Sequence, residues 1–104
     1  MSFRISGKNI DIGVALRERI SERIDGAVGK YFDRGYSGHV TIGKDGAGFV
    51  TECALHLDSG SMLTSEATAE DAYQSADMAA EKIEKQLRRD KRRRKDHQAF
   101  RIGR

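Results

Sequence analysis

Lys82, Lys85, Arg89 and Arg92 recur at spacings of 3, 4 and 3, so on a helix they share one face. Four long cations on one rigid face suit one kind of chemistry, charge-assisted hydrogen bonding to a fixed array of anions such as phosphates. The groups that could support catalysis are not arranged for it. His39, His56 and His97 fall on a strand, a strand and a tail, without metal-ligand spacing. Cys53 stands alone, which leaves neither a disulfide nor a thiolate metal cluster, and its place on the inward face of a strand suits a buried thiol. Gly46 and Gly48 join two strands rather than leading a strand into a helix, so they are not a phosphate loop. The carboxylates are scattered over exposed faces with no evident pair. The residues therefore give no catalytic site, metal or cofactor, and no small-molecule substrate.

The element that must position the cations is a helix over residues 70–98. Tyr73, Ala76, Ala80, Ile83 and Leu87 recur at helical spacing and span only about 80° of a wheel turned at about 100° per residue. The cationic face lies roughly opposite the middle of that stripe. Glu81 and Glu84 stand four residues before Lys85 and Arg88, and Asp90 precedes Arg94 likewise, the favourable order for helical ion pairs. Thr68 followed by Asp71 fits a capping arrangement, with Glu70 and Asp71 suited to the positive helix end. No Gly or Pro interrupts the pattern, so it can run about 25 residues, or about 38 Å. Tyr73 and Asp77, one turn apart, read as the core's edge, with the Tyr73 hydroxyl hydrogen-bonded, rather than as a contact patch.

The other elements follow from period and punctuation. Phe3 and Ile5 alternate with polar residues in a first strand, and residues 7–13 turn. From Val14 to Phe32 the period is helical, with Leu16, Ile20, Ile24, Ala27, Val28 and Tyr31 facing a core. Arg19, Arg23 and Lys30 gather along one flank of that stripe. Gly35 and Gly38 mark a break, then Val40 and Ile42 alternate in a second strand. Asp45-Gly46 with Gly48 reads as a hairpin into a third strand, Phe49, Thr51, Cys53, Leu55 and Leu57 inward and mostly polar residues outward. Asp58-Ser59-Gly60 turns into a fourth strand from Met62 to Ala67, with Leu63 and Ala67 inward. The economical solution is an α+β fold in two layers, β-α-β-β-β-α, with two helices packed on one face of a four-stranded sheet.

At 104 residues the chain allows one domain with a small core. Its net charge of +3 conceals an asymmetry. Residues 1–80 hold 8 Lys/Arg against 12 Asp/Glu, a balance of −4, whereas residues 81–104 hold 11 against 4, a balance of +7. A basic block on an acidic body points to a polyanion met at one edge. The opening MSFRISGKN lacks the apolar core of a signal peptide, and no run approaches a membrane span, so the expected location is cytoplasmic, without membrane contact.

The run from Ala67 to Asp96, with Asp71, Tyr73, Ala76, Asp77, Lys82, Glu84, Gln86, Leu87, Arg88 and Lys91, resembles the second-helix signature of the ribosome hibernation-promoting factors. That family is also called the ribosome-associated inhibitors, or sigma-54 modulators. The opening SGKNIDIGVALRERISERI is similar as well, so the resemblance covers nearly the whole chain. Ala72 and Gly13 depart from it, where the family usually has a larger apolar residue and a hydroxyl cap. The resemblance implies a double-stranded-RNA-binding-domain-like fold and a non-catalytic, monomeric domain over residues 1–96. Its partner would be the small ribosomal subunit, in the channel for messenger and transfer RNA, where it inhibits translation in idle or stressed cells. On that reading Lys82, Lys85, Arg89 and Arg92 contact the ribosomal RNA backbone first, followed by Arg88, Arg23, Arg19, Lys30 and Lys8. Residues 97–104 read as a tail or the start of a linker, because long members of the family continue into a dimerising domain that pairs ribosomes. Two other readings stay open, a sigma-factor-binding modulator of transcription and a generic double-stranded RNA module. Such RNA modules usually carry their basic cluster at the start of the last helix, where this chain is acidic. No aromatic stacking platform is expected on the open sheet face, so base-specific reading is not expected either.

Overall fold

The computed structural model describes the backbone of residues 2–32 and 34–102, and the side chains of residues 3–32 and 34–93. The elements follow in the order β1 (Ser2–Lys8), α1 (Val14–Tyr31), β2 (Tyr36–Asp45), β3 (Gly48–Leu57), β4 (Met62–Ala69) and α2 (Ala72–Ile102). The strands lie in chain order in one sheet, β1-β2-β3-β4. Because α1 carries the chain back between them, β1 and β2 run parallel, and the two later pairs, joined by tight turns, are antiparallel. At the β2–β3 hairpin Gly46 takes a φ of 61°, a left-handed conformation that glycine adopts without steric cost.

The two-layer α+β arrangement expected from the sequence is the one observed, and its core is a single cluster. Leu16, Ile20, Ile24 and Val28 of α1 and Ile83 and Leu87 of α2 face Val40, Ile42, Cys53, Leu55 and Leu57 of the sheet. Thr51, Cys53, Leu55 and Leu57 are buried and alternate with half-buried or exposed neighbours, as a sheet covered on one face requires. Ala76, Ala79 and Ala80 bring the backbone of α2 close to its neighbours, with at most 4% of their surface exposed.

Polar side chains fix the helices at the places where apolar packing ends. The buried hydroxyls of Thr51 and Ser75 share a hydrogen bond of 2.7 Å. Ser75 also donates to the Ala72 carbonyl, so Thr51 is the donor of the pair. Ser65 donates to the Ala79 carbonyl, and Ser61 to the carboxylate of Asp90 at 2.9 Å. Lys82 Nζ and Gln86 Nε2 donate to the Glu66 and Thr64 carbonyls of β4, while the Arg17 guanidinium reaches the Ile5 carbonyl of β1. Among the described residues, no buried side-chain nitrogen or oxygen lacks a partner.

The structure corrects the sequence reading in several places. Thr68 does not cap α2: it lies in β4 opposite Val50, and the helix begins at Ala72 with Asp71 just before it. Gly38 is no loop residue but part of β2, where a Cβ would collide with the Ala54 carbonyl oxygen. Tyr73 leaves the apolar stripe and is 38% exposed, whereas Ser75, Ala79 and Asp90 join the buried arc. Asp90 therefore faces Ser61 rather than solvent, and the side chain of its expected partner Arg94 lies outside the described residues. The α2 backbone continues past Gln98 to Ile102, through the segment expected to be a tail.

Ile83 is fully buried between the layers. Ile83→Asp is expected to abolish the cooperative thermal transition followed by circular dichroism. An unpaired carboxylate there costs several kcal/mol against a typical total of about 5–15 kcal/mol. An unchanged melting temperature would place this helix face elsewhere.

Candidate nucleic-acid interface

The basic residues singled out in the sequence separate into three groups. Arg19, Arg23 and Lys30 of α1 lie along the groove between the helices and meet acidic groups of α2. The Arg19 guanidinium grips Asp77 through two hydrogen bonds of 2.7 and 3.1 Å and lies over the Tyr73 ring, 5.7 Å from its centroid. Arg23 reaches the Asp77 carbonyl at 3.4 Å, and Lys30 pairs with Glu84 at 3.3 Å. Tyr73 and Asp77 thus form an interhelical clasp. The Glu84 carboxylate goes to Lys30 across the groove, not to Arg88 along the helix as the spacing suggested.

Charge on both sides of the clasp moves its titration. The hydrogen bond from Arg19 holds the Asp77 carboxyl below the usual range against the opposing effect of burial, and the charges of Arg19 and Arg23 add to the lowering. The same contact raises the Arg19 guanidinium further above its ordinary value. The pair keeps its charges at physiological pH, although side-chain exposures of 52% and 34% leave it open to screening by salt.

The second group is the outward face of α2. Lys82, Lys85, Arg88, Arg89 and Arg92 are all exposed. Lys85 stands 4.0 Å from Glu81, and Lys82 is turned towards the β4 edge by its bond to the Glu66 carbonyl. Arg88, Arg89 and Arg92 make no hydrogen bond or ion pair among the described residues. Met78, 39% exposed, sits on the same face one turn before Lys82. Arg88 follows Glu84 by one turn, so the α2 face begins beside the residue that Lys30 of α1 holds. That face can supply several guanidinium and ammonium donors to an anionic backbone without rearranging the helix.

Lys8 is apart from both. It ends β1 opposite Gly43, on the sheet face that carries no helix, beside a hollow lined by Lys44, Glu52 and Glu66. Sequence spacing could not separate it from the others, because the side of a strand on which a lysine stands depends on which face the helices cover.

The remaining chemistry-bearing groups are placed as structural ones. Cys53 is 2% exposed, and burial pushes its thiol up to about 12. Burial, the charge of Asp25 and a hydrogen bond to Asp25 raise Tyr36 to about 12 as well. Among the described residues, no group of three His, Cys, Asp or Glu side chains could hold a metal ion, and no helix is long and apolar enough to cross a membrane. The backbone at His97 is helical, but its side chain lies outside the described residues.

Comparison with known proteins bears on the whole chain. The family described as "Sigma 54 modulation protein / S30EA ribosomal protein" matches residues 3–95. The chain is 56% identical, over 95% of its length, to a ribosome hibernation promotion factor of Bradyrhizobium diazoefficiens, and 50% identical, over 93%, to one of Rhizobium meliloti. It covers only 49% and 51% of those two proteins, so the chain spans about half the length of these relatives. It covers all of a ribosome hibernation promoting factor of Salmonella typhimurium, at 29% identity. Among solved structures, the N-terminal domain of Thermus thermophilus Protein Y superposes with a TM-score of 0.77 over 86% of this chain and 98% of that one, at 23% identity. A ribosomal subunit interface protein from Coxiella burnetii superposes with a TM-score of 0.76, over 88% and 98%, at 22% identity. At those identities the two structures establish the shared fold.

The burial of Cys53 gives a direct check on this assignment of roles. A thiol reagent at pH 8 should label the folded protein at least about a hundredfold more slowly than the denatured chain, because the sulfur is reached only through opening of the core. The sign in alkali is fixed too. A folded-state value of about 12 lies above the ordinary thiol range, so the unfolded chain ionises first, and stability should fall as pH rises from about 9 towards 12. Fast labelling at pH 8 would mean an accessible thiolate.

Proposed function

Because the chain belongs to the sigma 54 modulation protein / S30EA ribosomal protein family, we propose that it is a ribosome hibernation factor domain that acts by occupancy and without catalysis. Its target is the small ribosomal subunit, in the channel between head and body where messenger and transfer RNAs bind. The bound domain keeps an idle ribosome from initiating. In this reading residues 1–96 form the ribosome-binding unit and work in the cytoplasm as a monomer.

The observation that carries the reading is the outward face of α2. Arg88, Arg89 and Arg92 have no intramolecular partner among the described residues, yet stand on a helix whose other side is held by Ile83 and Leu87. A cation with no partner among the described residues is available to a phosphate outside the domain. A preformed helix loses little backbone freedom on binding, so more of the contact energy appears as affinity. Arg19, Arg23 and Lys30 take a secondary part, because a phosphate must share them with Asp77 and Glu84 or displace those carboxylates. The relatives' names, which refer to ribosome hibernation, support a ribosomal target.

Replacing Lys85, Arg88, Arg89 and Arg92 together with Ala tests this. These side chains are exposed and Ala favours helix, so circular dichroism should be nearly unchanged. Affinity for purified small subunits should fall steeply, and the slope of log affinity against log salt should flatten by about one unit per lost phosphate contact. Arg19→Ala should cost less affinity than any single change on the α2 face. Undiminished binding by the fourfold variant, or a slope that does not move, would rule out α2 as the RNA-contacting face.

A further inference from the structure

The face of the sheet that carries no helix is polarised along the strands, and one end of it has the features of a small binding site. Arg4 of β1 lies opposite His39 of β2, and His39 lies opposite Ala54 of β3. One step along the strands, Ser37 pairs with His56, and His56 with Met62 of β4. Residues facing each other across a ladder point to the same side of a sheet, and Val40, Ile5 and Leu55, the neighbours in sequence of His39, Arg4 and both Ala54 and His56, are buried on the helix side. Arg4, His39 and His56 therefore all stand on the open face, with the two imidazoles diagonal neighbours across β2 and β3. Between them is an open hollow of about 540 Å³, over the methyl of Ala54 and the backbone at Gly38, with Met62, 68% exposed, at its far rim.

We propose that this hollow takes one unpaired nucleotide of RNA, its base lying over Ala54 between the imidazoles and Met62, and its phosphate on Arg4. This rests on the ribosome-binding reading and adds a second RNA contact on the opposite face of the domain. Imidazoles stack on bases as other flat rings do, and stacking is available only to a base that has left its helix. Arg4, on the edge strand, is the one Lys or Arg among the described residues that line the hollow, and it places the phosphate outward. Further along the same face Glu52 and Glu66 stand directly opposite each other. Their charges bar a phosphate chain, and equally a run of acidic residues, from continuing in that direction. The hollow is thus too short for an acidic peptide and sized for a single ring with its phosphate. His39 and His56 supply the stacking surface that a search for Phe, Tyr and Trp on the open face would pass over.

The probes are hexaadenylate, hexauridylate, a twelve-base-pair RNA duplex and a hexaglutamate peptide, each titrated into the whole chain while the imidazole ring protons are followed by NMR. The single strands should move the His39 and His56 signals, the purine strand more, since it stacks better. His39→Ala with His56→Ala should weaken hexaadenylate binding at least about fivefold, as should Arg4→Ala. If the duplex or the peptide moves the imidazole signals as far as hexaadenylate does, or the substituted proteins bind it undiminished, the inference is overturned. The same histidine variant and the α2 variant titrated onto small subunits keep the two readings apart. Loss with the α2 variant alone leaves the ribosome assignment standing and removes the nucleotide site, whereas loss with neither removes both.

Discussion

The structure depends on how closely α2 can approach the layer beneath it. Ala76, Ala79 and Ala80 put almost nothing between the helix backbone and its neighbours, and Ile83 and Leu87 then fill the space where the layers diverge. The Thr51–Ser75 hydroxyl pair at one end and the Ser61–Asp90 contact at the other fix where the helix begins and ends its crossing. A larger residue at any of the three alanines would lift the helix and loosen these polar contacts, because close-packed interiors accommodate extra volume poorly. The cationic face has a fixed position only because the opposite face has this seat.

Charge is divided between the helices in a way that supports the same seat. Two acidic residues of α2, Asp77 and Glu84, point across the groove to Arg19 and Lys30, and arginines without a partner among the described residues stand exposed on its outer face. Each exposed ion pair contributes little to stability, and both agree with the rotation of α2 that its buried face fixes. That rotation decides which arginines face outward. Arg19 joins the two functions, since it clasps Asp77, covers Tyr73 and still keeps half its side chain exposed.

The layers, the element order and most of the core were legible in the sequence because they depend on period alone. Leu16, Ile20, Ile24 and Val28, Cys53, Leu55 and Leu57 of β3, and Ile83 with Leu87 all lie where their spacing placed them, whereas Phe49 at the start of β3 is only half-buried. Interactions between elements were not legible. Glu84 has a satisfactory partner four residues on, but Lys30, 54 positions away in sequence, is the one it meets. Asp90 looks like a surface residue until the turn holding Ser61 is folded under it. Thr68 and Asp71 carry a capping pattern, but the pairing of Thr68 with Val50 keeps that residue in the sheet. The candidate cations were found by type and face, while their division into clasped and free groups required the register of one helix against the other.

The anchoring of the helices has a consequence for assembly. The side chains that hold α2 to β4, Lys82 and Gln86, do so by taking the backbone carbonyls of Glu66 and Thr64, and Arg17 does the same at Ile5 on the opposite edge strand. Those are acceptors that a foreign strand would need in order to extend the sheet. Each border of the sheet thus has a cation of the protein's own on one of its carbonyls, Lys82 at β4 and Arg17 at β1, with Gln86 on a second at β4. Strand addition at either edge would first have to displace these bonds. A second copy offering a strand would therefore meet Lys82 and Gln86 along β4, or Arg17 along β1, before it met a free carbonyl at those positions.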